Sequence, residues 1–180
     1  VRNLYVCGID GTSPCLLTRS GSSIGNARWS KDGKHIAFLM KGQMWTAGIS
    51  RDADGWKLTE ARQVSNVESG ISEFKLSPDQ TKVMFVSNVK SNVKSPSDCY
   101  SDLDKATAYT TDDLMYRHWD HTVIEVPHTF IGEFGFADMP ELTLESSIDI
   151  LAGEKEIYEL PTEPFSGIEQ LDWSPDGKHI

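Results

Sequence analysis

Positive charge is scarce in this chain of 180 residues: 17 Lys and Arg stand against 27 Asp and Glu, a formal net charge of −10. A nucleic-acid surface or a polybasic membrane contact needs clustered Lys and Arg, so neither kind of partner is expected. Long apolar runs are also missing, and nothing approaches the ~20 residues that span a bilayer as a helix. Cysteine is sparse and odd in number. Cys7, Cys15 and Cys99 show no CxxC and no Cys/His metal spacing. Cys7 and Cys15 are placed to pair across a hairpin, with free thiols as the plainer alternative. Position 1 is Val rather than an initiator Met, with no signal peptide before it, which reads as a processed N-terminus. No cofactor motif is found.

What the chain does have is a phrase written three times. Trp173-Ser174-Pro175-Asp176-Gly177-Lys178-His179-Ile180 repeats Trp29-Ser30-Lys31-Asp32-Gly33-Lys34-His35-Ile36. A looser copy is Leu76-Ser77-Pro78-Asp79-Gln80-Thr81-Lys82-Val83. Each reads as strand, tight turn, strand. Pro presets φ, Asp bonds nearby turn backbone, and Gly accepts the positive φ at the exit. Lys31 in place of Pro forfeits rigidity only, whereas Gln80 in place of Gly costs roughly 1 kcal/mol if left-handed. Trp29, Leu76 and Trp173 should then occupy equivalent positions.

Ser30 and Ser77 are 47 residues apart, and Ser77 and Ser174 are 97 apart, close to twice that. A period of about 40 to 50 residues in β-rich units predicts four-stranded propeller blades. The fold class is therefore all-β, a segment of a β-propeller worth about three four-stranded blades, with one insertion carrying a short helix. Residues 1–20 read as a half blade, with strands at 3–9 and 15–18. Residues 21–67 read as a whole blade, with strands at 24–30, 34–40, 43–49 and 56–64. In that blade Ala37, Leu39, Met44, Trp45 and Ile49 are the candidates for packing between sheets. Residues 68–165 read as a blade opening with strands 71–76 and 81–87. It is interrupted by an insertion at about 88–121 with a helix at 111–118, and resumes at 123–136 and 148–151. A second, degenerate blade hidden in the long interval is the alternative. Residues 166–180 read as a half blade whose first strand is 167–173. The last copy stops inside its second strand, which reads as a segment of a longer protein.

The phrase resembles the TolB-type propeller repeat, found in periplasmic propellers and in the N-terminal domain of prolyl oligopeptidase-family serine peptidases. A less generic run, Cys99 to Lys105 followed by Asp112-Asp113-Leu114-Met115-Tyr116-Arg117-His118-Trp119-Asp120, is similar to bacterial dipeptidyl-peptidases of that family. The resemblance implies a propeller that gates substrate access and scaffolds a C-terminal α/β-hydrolase domain, which this chain does not contain. It also implies a peptide substrate and a secreted or periplasmic parent. No adjacent Glu-Glu pair of the kind that holds the substrate amine in one branch of the family is present. A TolB-like interaction scaffold and a ligand- or sugar-binding propeller are the alternatives, and self-association stays open.

Candidate chemistry is thin. Tyr116, Arg117 and Trp119 are the substrate- or partner-facing candidates. Gly21-Ser22-Ser23-Ile24-Gly25 matches GxSxG, yet a nucleophile elbow needs a following helix and here a strand pattern follows. The expectation is no catalytic residue in this chain. Asp52-Ala53-Asp54-Gly55 lacks the later ligands of a calcium loop and reads as a hairpin turn. His118, His121 and His128 match no zinc signature, and Asp98, Asp102 and Asp104 read as a solvated loop face.

Overall fold

Residues of alternating polarity, punctuated by Asp and Gly turns, fold as an almost purely antiparallel β structure. The computed structural model describes residues 1–110, 123–137, 141–154, 158–162 and 167–180. Strands β1 (Tyr5–Val6) and β2 (Cys15–Leu16) form a two-stranded ribbon. Strands β3 (Ile24–Trp29), β4 (His35–Met40), β5 (Gln43–Asp52) and β6 (Gly55–Gln63) pair in chain order as one four-stranded sheet. Strands β7 (Glu73–Leu76), β8 (Lys82–Lys90), β9 (Glu125–Glu133) and β10 (Ile148–Asp149) form the other. Among the described residues of the long interval, β8, β9 and β10 join β7 in this single four-stranded sheet. They form no closed ring.

Central strands are apolar on both faces because each face meets a different layer. In β4, Ala37 and Leu39 point into the layer between the sheets, while Ile36 and Phe38 pack with Ile24, Ala47 and Leu4 on the other side. In β8, Val83 and Phe85 face the first sheet. Met44, Val64, Val67, Ile71, Phe74, Phe130 and Leu142 complete this shared core, where the Phe85 and Phe130 rings stack at 5.4 Å. Each such side chain contributes about 1.5–3 kcal/mol by leaving water. Of the expected packing residues, Ala37, Leu39 and Met44 lie in the shared core, Trp45 packs on the far face, and Ile49 is buried. The sheets are also tied through the backbone. After β9 the chain returns to the first sheet, where Leu142 N–H donates to the Val64 carbonyl at 2.9 Å and the Leu142 carbonyl accepts the Asn66 N–H at 2.8 Å.

Several details differ from the sequence expectation. β8 runs on to Lys90, so the excursion begins later. It contains α1 (Pro96–Cys99), a single helical turn in a stretch read only as turns. Its signal is local, since Asp98 accepts from both the Ser95 N–H at 2.8 Å and the Ser95 hydroxyl at 2.7 Å, with Pro96 opening the turn. The helix expected at 111–118 lies outside the described residues. Ile168–Gln170 is a 3₁₀ turn rather than the start of a strand, because the Glu73 carboxylate captures the Ile168 N–H at 2.7 Å. Cys7 and Cys15 are free thiols. Val6 is the residue opposite Cys15, so Cys7 points to the other face of the ribbon.

Candidate ligand cleft

The three copies of the phrase fold into one turn built three times. In each, the Ser hydroxyl donates to the Asp carboxylate at 2.6 Å: Ser30 to Asp32, Ser77 to Asp79, Ser174 to Asp176. Each Asp in turn accepts a backbone N–H, from Lys34 at 2.9 Å, Thr81 at 3.1 Å and Lys178 at 3.1 Å. The same Ser oxygen accepts the N–H five residues on, from His35, Lys82 and His179. The exit residues Gly33, Gln80 and Gly177 share positive φ of 68°, 61° and 68°. The Ser hydroxyl holds the Asp32, Asp79 and Asp176 carboxyls below their ordinary range, and that of Asp79 falls to about 2.

These turns lie side by side. Gln80 bonds the backbone of the first turn, and the Pro78 ring lies beside Gly177 of the third. The residues just before each turn therefore converge on one cleft of about 480 Å³, lined by Arg28, Trp29, Lys75, Leu76, Asp172 and Trp173 among others. Trp29, Leu76 and Trp173, which the repeat marks as equivalent positions, all line it. The Trp173 indole N–H donates to the Lys75 carbonyl at 3.3 Å, and Trp29 meets Trp56 edge-on at 6.2 Å. The Lys75 ammonium bonds the Leu171 carbonyl and lies 3.6 Å from the Asp172 carboxylate. Arg28 is exposed, and among the described residues its guanidinium bonds only the Ala27 carbonyl, at 2.9 Å. Sequence reasoning singled out the two Trp residues but missed Arg28, Lys75 and Asp172. Their only sequence signal is their shared position two residues ahead of the repeated Ser.

At the other end of β3 and β7 a second cleft, of about 290 Å³, is lined by Arg2, Ser23, Asn26, Lys41 and Glu73 among others. Ser23 accepts the Arg2 N–H at 3.1 Å and leads directly into β3, so its GxSxG match sits at a strand entrance. His128 bonds Asp149 through Nδ1 at 2.8 Å, while its buried Nε2 has no hydrogen-bond partner among the described residues. Asp52 precedes and Asp54 lies within a two-residue hairpin turn, where the Lys57 ammonium meets both carboxylates at 2.8 and 3.4 Å. Among the described residues no group of three or more His, Cys, Asp or Glu is placed to hold a metal ion. Tyr116, Arg117, Trp119, His118 and His121 lie outside the described residues.

No family model matches the chain. It is similar to dipeptidyl-peptidase 5 of Porphyromonas gingivalis, 40% identical over 179 residues that make up 99% of this chain and 25% of that protein. It is also similar to dipeptidyl-peptidase 5 of Porphyromonas endodontalis, 32% identical over 179 residues, 98% of this chain and 24% of that protein. The chain spans about a quarter of the length of these curated relatives, and over that quarter it matches a segment of a dipeptidyl peptidase.

Proposed function

We propose that this chain is a run of β-propeller blades from a secreted or periplasmic dipeptidyl-peptidase-like serine peptidase. In this reading it gates access of peptides and scaffolds a C-terminal α/β-hydrolase domain that carries the catalytic Ser, Asp and His. The observation that carries the reading is the succession of two four-stranded antiparallel sheets, each opened by the same Ser-Asp turn, within a match to dipeptidyl peptidases that runs nearly end to end along this chain. A sheet whose strands pair in chain order, repeated after a short linker, is the blade unit of a propeller. A blade supplies walls and rims. The chemistry is assigned to sequence beyond it, consistent with Ser23 opening a strand rather than a helix.

The test is made on the full-length parent. It should release dipeptides from an unblocked dipeptidyl-methylcoumarin and be labelled by a fluorophosphonate at a serine outside residues 1–180. A parent that neither turns over such substrates nor takes the label defeats the peptidase reading. Labelling lost on Ser23→Ala defeats the division of labour.

A further inference from the structure

We propose that the cleft between the repeated turns binds the carboxylate end of a short peptide whose last side chain is apolar and ring-bearing. The acid-binding chemistry stands on the cleft itself; that the acid is a peptide rests on the function proposed above.

Size comes first. A volume of about 480 Å³ falls in the range of pockets that enclose small ligands, ~300–1,000 Å³. The walls come next. The indoles of Trp29 and Trp173 belong to different repeats and line the cleft together with Leu76 and Pro78. Both indoles are already held, Trp173 by its bond to the Lys75 carbonyl and Trp29 by its edge contact with Trp56. Walls fixed before the ligand arrives lose little side-chain freedom on binding.

Charge selects the ligand. Lys75 is answered by Asp172 and the Leu171 carbonyl, so those two residues together leave no excess. Arg28 has no carboxylate partner among the described residues, and one bond to its neighbour's carbonyl leaves most of its five N–H donors unused. The Trp29 indole N–H likewise has no protein hydrogen-bond partner among the described residues. An unanswered guanidinium in a chain of net charge −10 is a local attractor for anions. Its planar fork matches a carboxylate through two parallel hydrogen bonds. Inorganic phosphate would satisfy the fork but not the indoles. An acid on a flat apolar stem satisfies both.

The test uses the full-length parent and titration calorimetry at low salt with acetyl-Gly-Phe, as free acid and as carboxamide. The acetyl cap withholds the free amine that an N-terminal dipeptide substrate presents. The acid should bind at least tenfold more tightly than the amide. Arg28→Gln, at an exposed position, should abolish that preference, Arg28→Lys should restore part of it, and Trp173→Ala should weaken both forms. Equal affinity for acid and amide overturns the proposal, as does a preference that survives Arg28→Gln, or displacement of the peptide by equimolar inorganic phosphate. Turnover of an unblocked dipeptidyl-methylcoumarin is measured alongside. Arg28-dependent binding without turnover refutes the peptidase reading and leaves the site standing. Turnover without binding refutes the site alone.

Discussion

The side-chain amide of Gln80 reads the backbone of the preceding repeat at two points. Its Nε2 donates to the Trp29 carbonyl at 2.9 Å, and its Oε1 accepts the Lys31 N–H at 2.8 Å. This explains why the second copy tolerates a side chain where the other two have Gly. Left-handed backbone at φ 61° is a cost, and two hydrogen bonds between repeats offset it. Gln80→Ala should keep the cost and lose both bonds, destabilising the protein by about 1–2 kcal/mol. Gln80→Gly loses the same bonds but sheds the strain, so it should be the more stable of the two by roughly 1 kcal/mol. Urea denaturation of both variants checks the order. An Ala variant as stable as the Gly variant would remove the strain argument.

Acid should loosen the turns. The Asp79 carboxyl is held at about 2 against an ordinary 3.8, first by the Ser77 hydroxyl and then by the Thr81 N–H and hydroxyl. A depressed folded-state value means the stabilisation is fully present above the ordinary carboxylate range and is lost as pH falls from there toward 2. Asp32 and Asp176 are lowered in the same way. Stability measured against pH should therefore fall more steeply between pH 4 and 2 for the natural chain than for Asp79→Ala. Parallel curves would show that the carboxylate does not support the turn.

Gly132 lies in β9 where a Cβ would fall inside the contact distance of the Leu142 side chain. Leu142 is buried in the shared core and cannot simply swing away. Gly132→Ala should cost about 1–3 kcal/mol as an overpacking change. Adding Leu142→Ala should recover part of that relative to Leu142→Ala alone. Strict additivity in the double-mutant cycle would mean that the two positions do not collide.

Phe85 is fully buried against Phe130 between the sheets, and Phe85→Ala should cost about 3–5 kcal/mol. The loss should appear as one earlier transition, coincident by fluorescence and circular dichroism, because both sheets contribute to the same core. Two separated transitions would show that the sheets melt independently.

The features legible in the residue order are those whose hydrogen bonds close locally. The Ser-Asp turn satisfies its groups within six residues, from Ser30 to His35, so the phrase alone predicts it. β4 and β8 announce themselves through the apolar runs at 36–40 and 83–86, each just after such a turn. α1 was equally local, through Ser95, Pro96 and Asp98, but its short span lay in a stretch where turn residues dominate. What stayed hidden depends on partners far along the chain. The 3₁₀ turn at Ile168–Gln170 is set by Glu73, and β10 is two residues long and exists through Phe130 and Ile131. The cleft was half legible. The repeat marks Trp29 and Trp173 as equivalent positions, while their convergence on one cleft and the pairing of Lys75 with Asp172, which leaves Arg28 unanswered, appear only in three dimensions.

The return of Leu142 to Val64 and Asn66 sets a timetable for synthesis. The edge of the first sheet ends in backbone groups whose partner is translated about 76 residues after Asn66. At about 5–20 residues per second that is a wait of roughly 4–15 s. During it Val64, Met44 and Leu39 lack the strap, and of the core Phe residues Phe74 and Phe85 emerge early while Phe130 and Phe134 come only near its end. A nascent chain halted before Leu142 would thus present a sticky, half-covered sheet to holdase chaperones, and one halted after it would not.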